Sequence, residues 1–242
     1  MSGLAPDADL VFLHPIGLDR RFWAGVAPDE ARVLEFPGHG DVPAADRVTL
    51  AGLVEYVVDG LPRPSTLVGL SLGGMVALEV AANRPDVVSS LVIACAGPAS
   101  HPDVMRERAE ATREGGMEGV LGSTLERWFT PEALATAGHA GVAYARRRLL
   151  DDDPETFARY WEAMAAHDVK DALGSIDVPV TVIAGAQDRA SSVETLTQMA
   201  TSMPNAVLEV LEGPHMLPLE QPSTFSAALA RHHERMRTRG ER

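Results

Sequence analysis

The sequence predicts an α/β fold: a mainly parallel sheet of about six strands, helices on both faces, and one helical insertion. Three observations carry this. Short apolar runs near 10–14, 31–36, 65–69, 91–95, 179–184 and 207–211 alternate with helical patterns near 49–60, 72–83, 191–203 and 222–238, the signature of β-α units wound into a parallel sheet. The alternation fails once, from about Gly97 to Asp177, where helical patterns at 102–115, 117–128, 131–150 and 154–167 are punctuated by Gly and Pro. Finally, the third apolar run leads straight into Gly69-Leu70-Ser71-Leu72-Gly73-Gly74 and then a helix-prone run.

Taken in order, the first strand, Leu10-Val11-Phe12-Leu13, ends in the turn His14-Pro15-Ile16-Gly17. Only nine residues precede it, which leaves no room for an opening hairpin. The second run ends in Phe36-Pro37-Gly38-His39-Gly40. Next come Ser65-Thr66-Leu67-Val68, the glycine-flanked serine, and the helix Met75-Val76-Ala77-Leu78-Glu79-Val80-Ala81-Ala82. The fourth run, Leu91-Val92-Ile93-Ala94-Cys95, holds the single cysteine, read as a small buried hydrophobe. After the insertion, Val178-Pro179-Val180-Thr181-Val182-Ile183-Ala184-Gly185 reads as a buried strand with Asp188 in the loop beyond. Val207-Leu208-Glu209-Val210-Leu211 leads likewise to Glu212-Gly213-Pro214-His215. The chain divides into a core, 1–97 and 178–242, and an inserted helical segment, 98–177.

Strand, G-x-S-x-G, helix is the context of a nucleophile elbow. From 21 Gly and 13 Ser in 242 residues, the pattern is expected about 0.1 times by chance. A serine on so sharp a turn is forced into an unfavourable backbone conformation, and flanking glycines let neighbouring backbone pass close by. Ser71, Asp188 and His215 follow in the order that such an elbow demands, each at the carboxyl end of a strand, where open α/β sheets build their sites. The serine hydroxyl needs an imidazole to take its proton, and a carboxylate to fix the imidazole's tautomer.

Composition narrows the function. A formal net charge of −13 argues against nucleic acid and against anionic membrane surfaces. No apolar stretch reaches the roughly 18 residues that span a bilayer. Residues 1–9 show no basic or apolar signal segment, so a cytoplasmic location is expected. The histidines are scattered, there is no H-E-x-x-H, and no G-x-G-x-x-G follows a strand, so neither metal nor cofactor is implied. His232 and His233, adjacent in a basic C-terminal helix, are expected to be solvated rather than ligating. The partner is a small molecule, and either a monomer or a homodimer fits.

These residues resemble the α/β-hydrolase superfamily. His14-Pro15-Ile16-Gly17 is similar to its His-Gly-X turn, which implies an oxyanion hole formed by the amides of Ile16 and Leu72; Pro15 replaces the usual glycine. The resemblance implies structural roles for His14 and His39, and a helical cap at 98–177 that excludes water and shapes the pocket. Arg113-Glu114-Gly115-Gly116-Met117, Leu125-Glu126-Arg127-Trp128-Phe129-Thr130-Pro131 and Tyr160-Trp161-Glu162-Ala163-Met164 with Asp168 resemble the cap of 3-oxoadipate enol-lactonases, and Gly213-Pro214-His215 with Glu220-Gln221-Pro222 resembles their last active-site loop. The Asp-x-Arg that often precedes Gly38 in such lactonases is missing. The resemblance implies an anionic enol-lactone of aromatic catabolism as substrate, with Arg127 beside Trp128 as candidate binding residues. Residues 101–170 hold eight Arg and one Lys against thirteen acids, a net of −4, so a single well-placed arginine must supply the cation. A carboxylesterase or lactonase on a neutral ester, and a carbon–carbon hydrolase or lyase on the same residues, stay open.

Overall fold

The computed structural model describes residues 9–62 and 64–240; the expectation of no signal segment falls mostly on residues 1–8, outside these. Six strands form one parallel sheet: β1 (Asp9–Leu13), β2 (Arg32–Leu34), β3 (Ser65–Leu70), β4 (Val88–Ala94), β5 (Val180–Gly185) and β6 (Ala206–Leu211). Their order is β2-β1-β3-β4-β5-β6. Every residue of β3 and β5 is buried, as expected of strands covered on both faces. From β1 the chain goes outward to β2, then crosses back to β3 on the other side of β1. Ligands bind where the strand order reverses in this way, beyond the carboxyl ends of the strands. Residues 14–17 and Ser71 emerge there.

The helices of the core are α1 (Leu50–Gly60) and α2 (Leu72–Asn83). Between β4 and β5 lie α3 (Pro102–Trp128), α4 (Pro131–Ala135), α5 (Ala140–Asp151) and α6 (Pro154–Met164), with no strand among the described residues. After β5 come α7 (Val193–Ser202), α8 (Leu217–Glu220) and α9 (Pro222–Gly240). Thr130, Asp153 and Ser192 cap α4, α6 and α7 by accepting amide protons of their first turns. None of the described helices is long and apolar enough to cross a membrane.

Two expectations need correction and one holds. The helical pattern at 131–150 is two helices, because Gly138 takes φ +75° and His139 caps a new start by accepting from the Val142 amide. The two helical stretches expected at 102–115 and 117–128 are found as the two halves of α3, which is broken at Gly116, whose φ of 63° is left-handed. His232 is buried rather than solvated: it bonds Thr181 Oγ1 (2.6 Å) and Ser90 Oγ (3.0 Å) beneath the sheet. Burial, then the charges of His233 and Arg235, pull its pKa down to about 3, which leaves a neutral imidazole to join α9 to β4 and β5.

The inserted helices are tied to the core at their neck. Ala99 pairs with Asp168 in an antiparallel bridge. His167 lies beside it, bonded to Glu79 of α2 (2.8 Å) and to the Gly97 carbonyl (3.0 Å). Farther out, Tyr160 of α6 donates to the Pro37 carbonyl (2.6 Å).

Candidate active site

The turn at Ser71 is dictated by close backbone approaches. A Cβ at Gly69 would lie 2.3 Å from the Gly73 carbonyl oxygen, and one at Gly73 would lie 2.1 Å from that of Leu13. Only glycine lets α2 start so near β1 and β3. The strain falls on Ser71, at φ 54°, ψ −117°. Such a conformation costs about 1–3 kcal/mol and persists only where surrounding contacts enforce it. Here the Ser71 amide donates to the Ala94 carbonyl and its own carbonyl accepts from Met75. The side chain points into a small cavity, about 50 Å3, which Ser71 shares with His215. The larger cleft beside α1 and α2, about 660 Å3, is lined by neither a serine nor a histidine.

His215 and Asp188 come together at the ends of β5 and β6. His215 Nδ1 lies 3.0 and 2.9 Å from the two Asp188 carboxylate oxygens, while both side chains are almost wholly out of solvent. Burial opposes ionisation of Asp188, but the His215 charge, its hydrogen bond and the Ala190 and Ser191 amides outweigh it and hold the carboxyl below its usual range. An ionised Asp188 on Nδ1 leaves Nε2 as the atom free to accept a proton. Among the described residues, the hydrogen bonds of His215 run to Asp188; Ser71 faces it across the cavity. Catalytic hydrogen bonds often tighten only when substrate is bound.

Cys95 is buried in the core as expected, and it also lines the cavity, at a φ of 51°. Its sulfur lies within 4.8 Å of ligand atoms of Asp188 and His215, and burial, then Asp188, pushes the thiol well above its ordinary pKa. It is an uncharged neighbour of the carboxylate. The histidine and aspartate of this trio are already bonded to each other.

The turn after β1 is shaped by two neutral histidines. Burial above all holds His14 down at about 4; its Nδ1 donates to the Pro15 carbonyl (2.8 Å) and its Nε2 accepts from the Phe36 amide (3.0 Å). Burial, then the His14 charge, holds His39 well below its ordinary value, and its Nε2 accepts from the Gly17 amide (3.0 Å). Pro15 is used as an acceptor, so its missing N–H is no loss. Gly17, at φ 70°, turns the chain, and Ile16 before it is buried. Leu72 opens α2 and has no helical acceptor for its amide.

The inserted helices supply the roof. Trp128, Trp161, Met105 and Met164 line the cavity together with Arg127 and Arg108. The Trp128 carbonyl accepts from the Met216 amide (3.0 Å), next to His215. Burial, then the neighbouring Arg108 charge, lowers Arg127 to about 10, so it stays charged at neutral pH. Arg108 was not singled out by the sequence, because one arginine in a polar helix gives no signal. The clue was Gly115-Gly116: a break in the helical pattern lets residues on either side of it face one site.

Comparison with known proteins places this geometry. A profile of the Alpha/beta hydrolase family matches residues 10–228, and the chain belongs to that family. Within it the similarity is to esterases and lactonases. The chain is 31% identical to 3-oxoadipate enol-lactonase 2 of Acinetobacter baylyi, over 94% of this chain and 89% of that protein. It is 28% identical to the pimeloyl-[acyl-carrier protein] methyl ester esterase of Chromobacterium violaceum, over 96% of both. The crystal structure of the enol-lactonase from Burkholderia xenovorans LB400 superimposes with a TM-score of 0.86 at 25% identity, covering 93% of this chain and 91% of that one.

Proposed function

We propose that the protein is a serine hydrolase of small carboxylic esters or lactones, acting through an acyl-enzyme, and that its substrate is 3-oxoadipate enol-lactone or a close analogue. The observation that carries the reaction class is the His215–Asp188 pair facing Ser71 on a strained turn. His215 Nε2 takes the Ser71 proton as Oγ attacks the lactone carbonyl. Charge developing on that oxygen is met by the Ile16 and Leu72 amides and by the N-terminus of α2. The ring C–O bond breaks, and the enol oxygen takes the proton back from His215 and later tautomerises to a ketone. Water then gives a proton to His215 and attacks the acyl-enzyme, which releases the acid and restores Ser71. Trp128 and Trp161 cover this sequence and keep other water out.

The substrate reading rests on likeness to the enol-lactonases and on Arg127 in the cavity wall, since Arg127 can pair with a substrate carboxylate. Likeness to the pimeloyl methyl ester esterase supports a second reading, a neutral methyl ester as substrate. A panel of enol-lactone, saturated lactones and neutral methyl and p-nitrophenyl esters, compared by kcat/KM, separates the two. The enol-lactone should lead by at least about tenfold, the worth of one charge-assisted hydrogen bond. Equal or better turnover of neutral methyl esters would favour the second reading.

A further inference from the structure

Two guanidiniums face the cavity of Ser71, and among the described residues neither meets a carboxylate. Arg127 bonds the Thr124 hydroxyl (3.0 Å), and Arg108 lies 4.8 Å from the centre of the Trp161 ring. They stand on opposite halves of α3, and the break at Gly116 brings both to one wall. Other arginines nearby find acids: Arg113 holds Glu155 and Glu162, and Arg148, itself buried, holds Asp19 and Asp152. Acids are plentiful, with 34 Asp and Glu against 21 Lys and Arg. Two part-buried like charges raise each other's energy. Methionines and tryptophans line the rest of the roof, and among the described residues the cavity wall carries no Asp or Glu. A pair kept unneutralised in a chain so rich in acid is matched to an anion that arrives with the substrate.

We propose that Arg108 and Arg127 together form a subsite for one carboxylate, so that the substrate class is an ester or lactone whose acyl part carries a free acid, and that Arg108 is a specificity-determining residue. This rests on the Ser71–His215 reading and deepens it. Arg127 donates charge-assisted hydrogen bonds to the carboxylate. Arg108, held against the face of Trp161, supplies the second cation and keeps the acid from turning.

Two matched probes test this: the mono-p-nitrophenyl ester of adipic acid and p-nitrophenyl hexanoate, which differ only in a terminal carboxylate or methyl. The protein should prefer the adipate ester, and Arg108→Gln should cut the ratio of the two kcat/KM values about tenfold to a hundredfold. Arg108→Lys should restore part of it. Because both arginines hold one carboxylate, the double Gln variant should lose less than the product of the single losses. Free adipate should inhibit competitively, with its inhibition constant raised in step. Arg113→Gln, on the same helix but paired with surface acids, should leave the ratio unchanged. A ratio unmoved by Arg108→Gln and Arg108→Lys overturns the subsite. If both esters turn over without preference and Ser71 takes a fluorophosphonate label, the subsite fails while the hydrolase reading stands. Absence of label and of turnover overturns that reading itself.

Discussion

The turn around Ser71 and the helix α3 above it are positioned by opposite means. At the turn, backbone meets backbone: Gly69, Gly73 and Leu13 are so close that no Cβ fits at either glycine. On α3, a Cβ at Gly115, Gly116, Gly119 or Gly122 would meet nothing within 4 Å, and the cavity is lined by long side chains instead. The polar groups differ too. Asp188 is bonded to His215 and held by two amides, whereas Arg108 and Arg127 meet no carboxylate among the described residues. A rigid backbone device suits chemistry that must be placed to fractions of an ångström. An open set of side chains suits recognition, which can change by substitution without disturbing the sheet.

The sharpest way to break this comparison is at Ser71. Ser71→Ala should lower kcat by roughly 10⁴- to 10⁶-fold with little change in KM or melting temperature, read by steady-state kinetics. A near-normal kcat would remove the covalent mechanism. Asp188→Asn should lose about 10⁴-fold in kcat by presenting the wrong partner to the imidazole; full activity would mean that another carboxylate orients His215.

The backbone contacts come next. Gly73→Ala puts a methyl 2.1 Å from the Leu13 carbonyl oxygen and should destabilise the fold by about 3 kcal/mol, measured as a lower urea midpoint. A loss below about 1 kcal/mol would show that α2 can shift away from β1.

Acid should act on the core. The unfolded chain binds a proton at His14 below about pH 6.5, and the folded chain only below about 4. The unfolded state therefore holds more protons between these values, and stability falls as the pH drops through that window. The His14 contribution is at most about 3 kcal/mol. The lowered His232 and Asp188 pKa values add loss in the same direction. Urea midpoints from pH 7 to pH 4 measure the slope, and His14→Gln should flatten it; an unchanged slope would assign the acid sensitivity elsewhere.

The smallest expected effect lies on α3. Gly116→Ala forces a left-handed φ of 63° on a residue with a Cβ and should destabilise by about 1–2 kcal/mol, visible as a modest drop in melting temperature. No clash adds to this, since the site is open. A loss as large as that of Gly73→Ala would mean that the two regions are positioned alike.

Much of the architecture was legible because its signals are local. The strand after which Ser71 follows, the helix 72–83 and the strand ends that carry Asp188 and His215 are set by apolar runs and by glycines at fixed offsets. The helix at 131–150 was misread because Gly138 and His139 make a turn that a helical period overruns. His232 was misread because hydroxyls of Ser90 and Thr181, distant in sequence, make its burial possible.

The sequence by itself determined the order of strands, the sharp turn at Ser71 and the break at Gly116, since each follows from side-chain pattern and backbone freedom within a few residues. Only the tertiary structure decided that β1 and β3 flank the point where strand order reverses, and that Arg108 and Arg127 share one wall on which, among the described residues, no acid stands. The physical reason is range. Hydrophobic period and glycine conformations act along the chain, whereas charge pairing, burial and the seat of a ligand depend on residues that meet only once the sheet has formed.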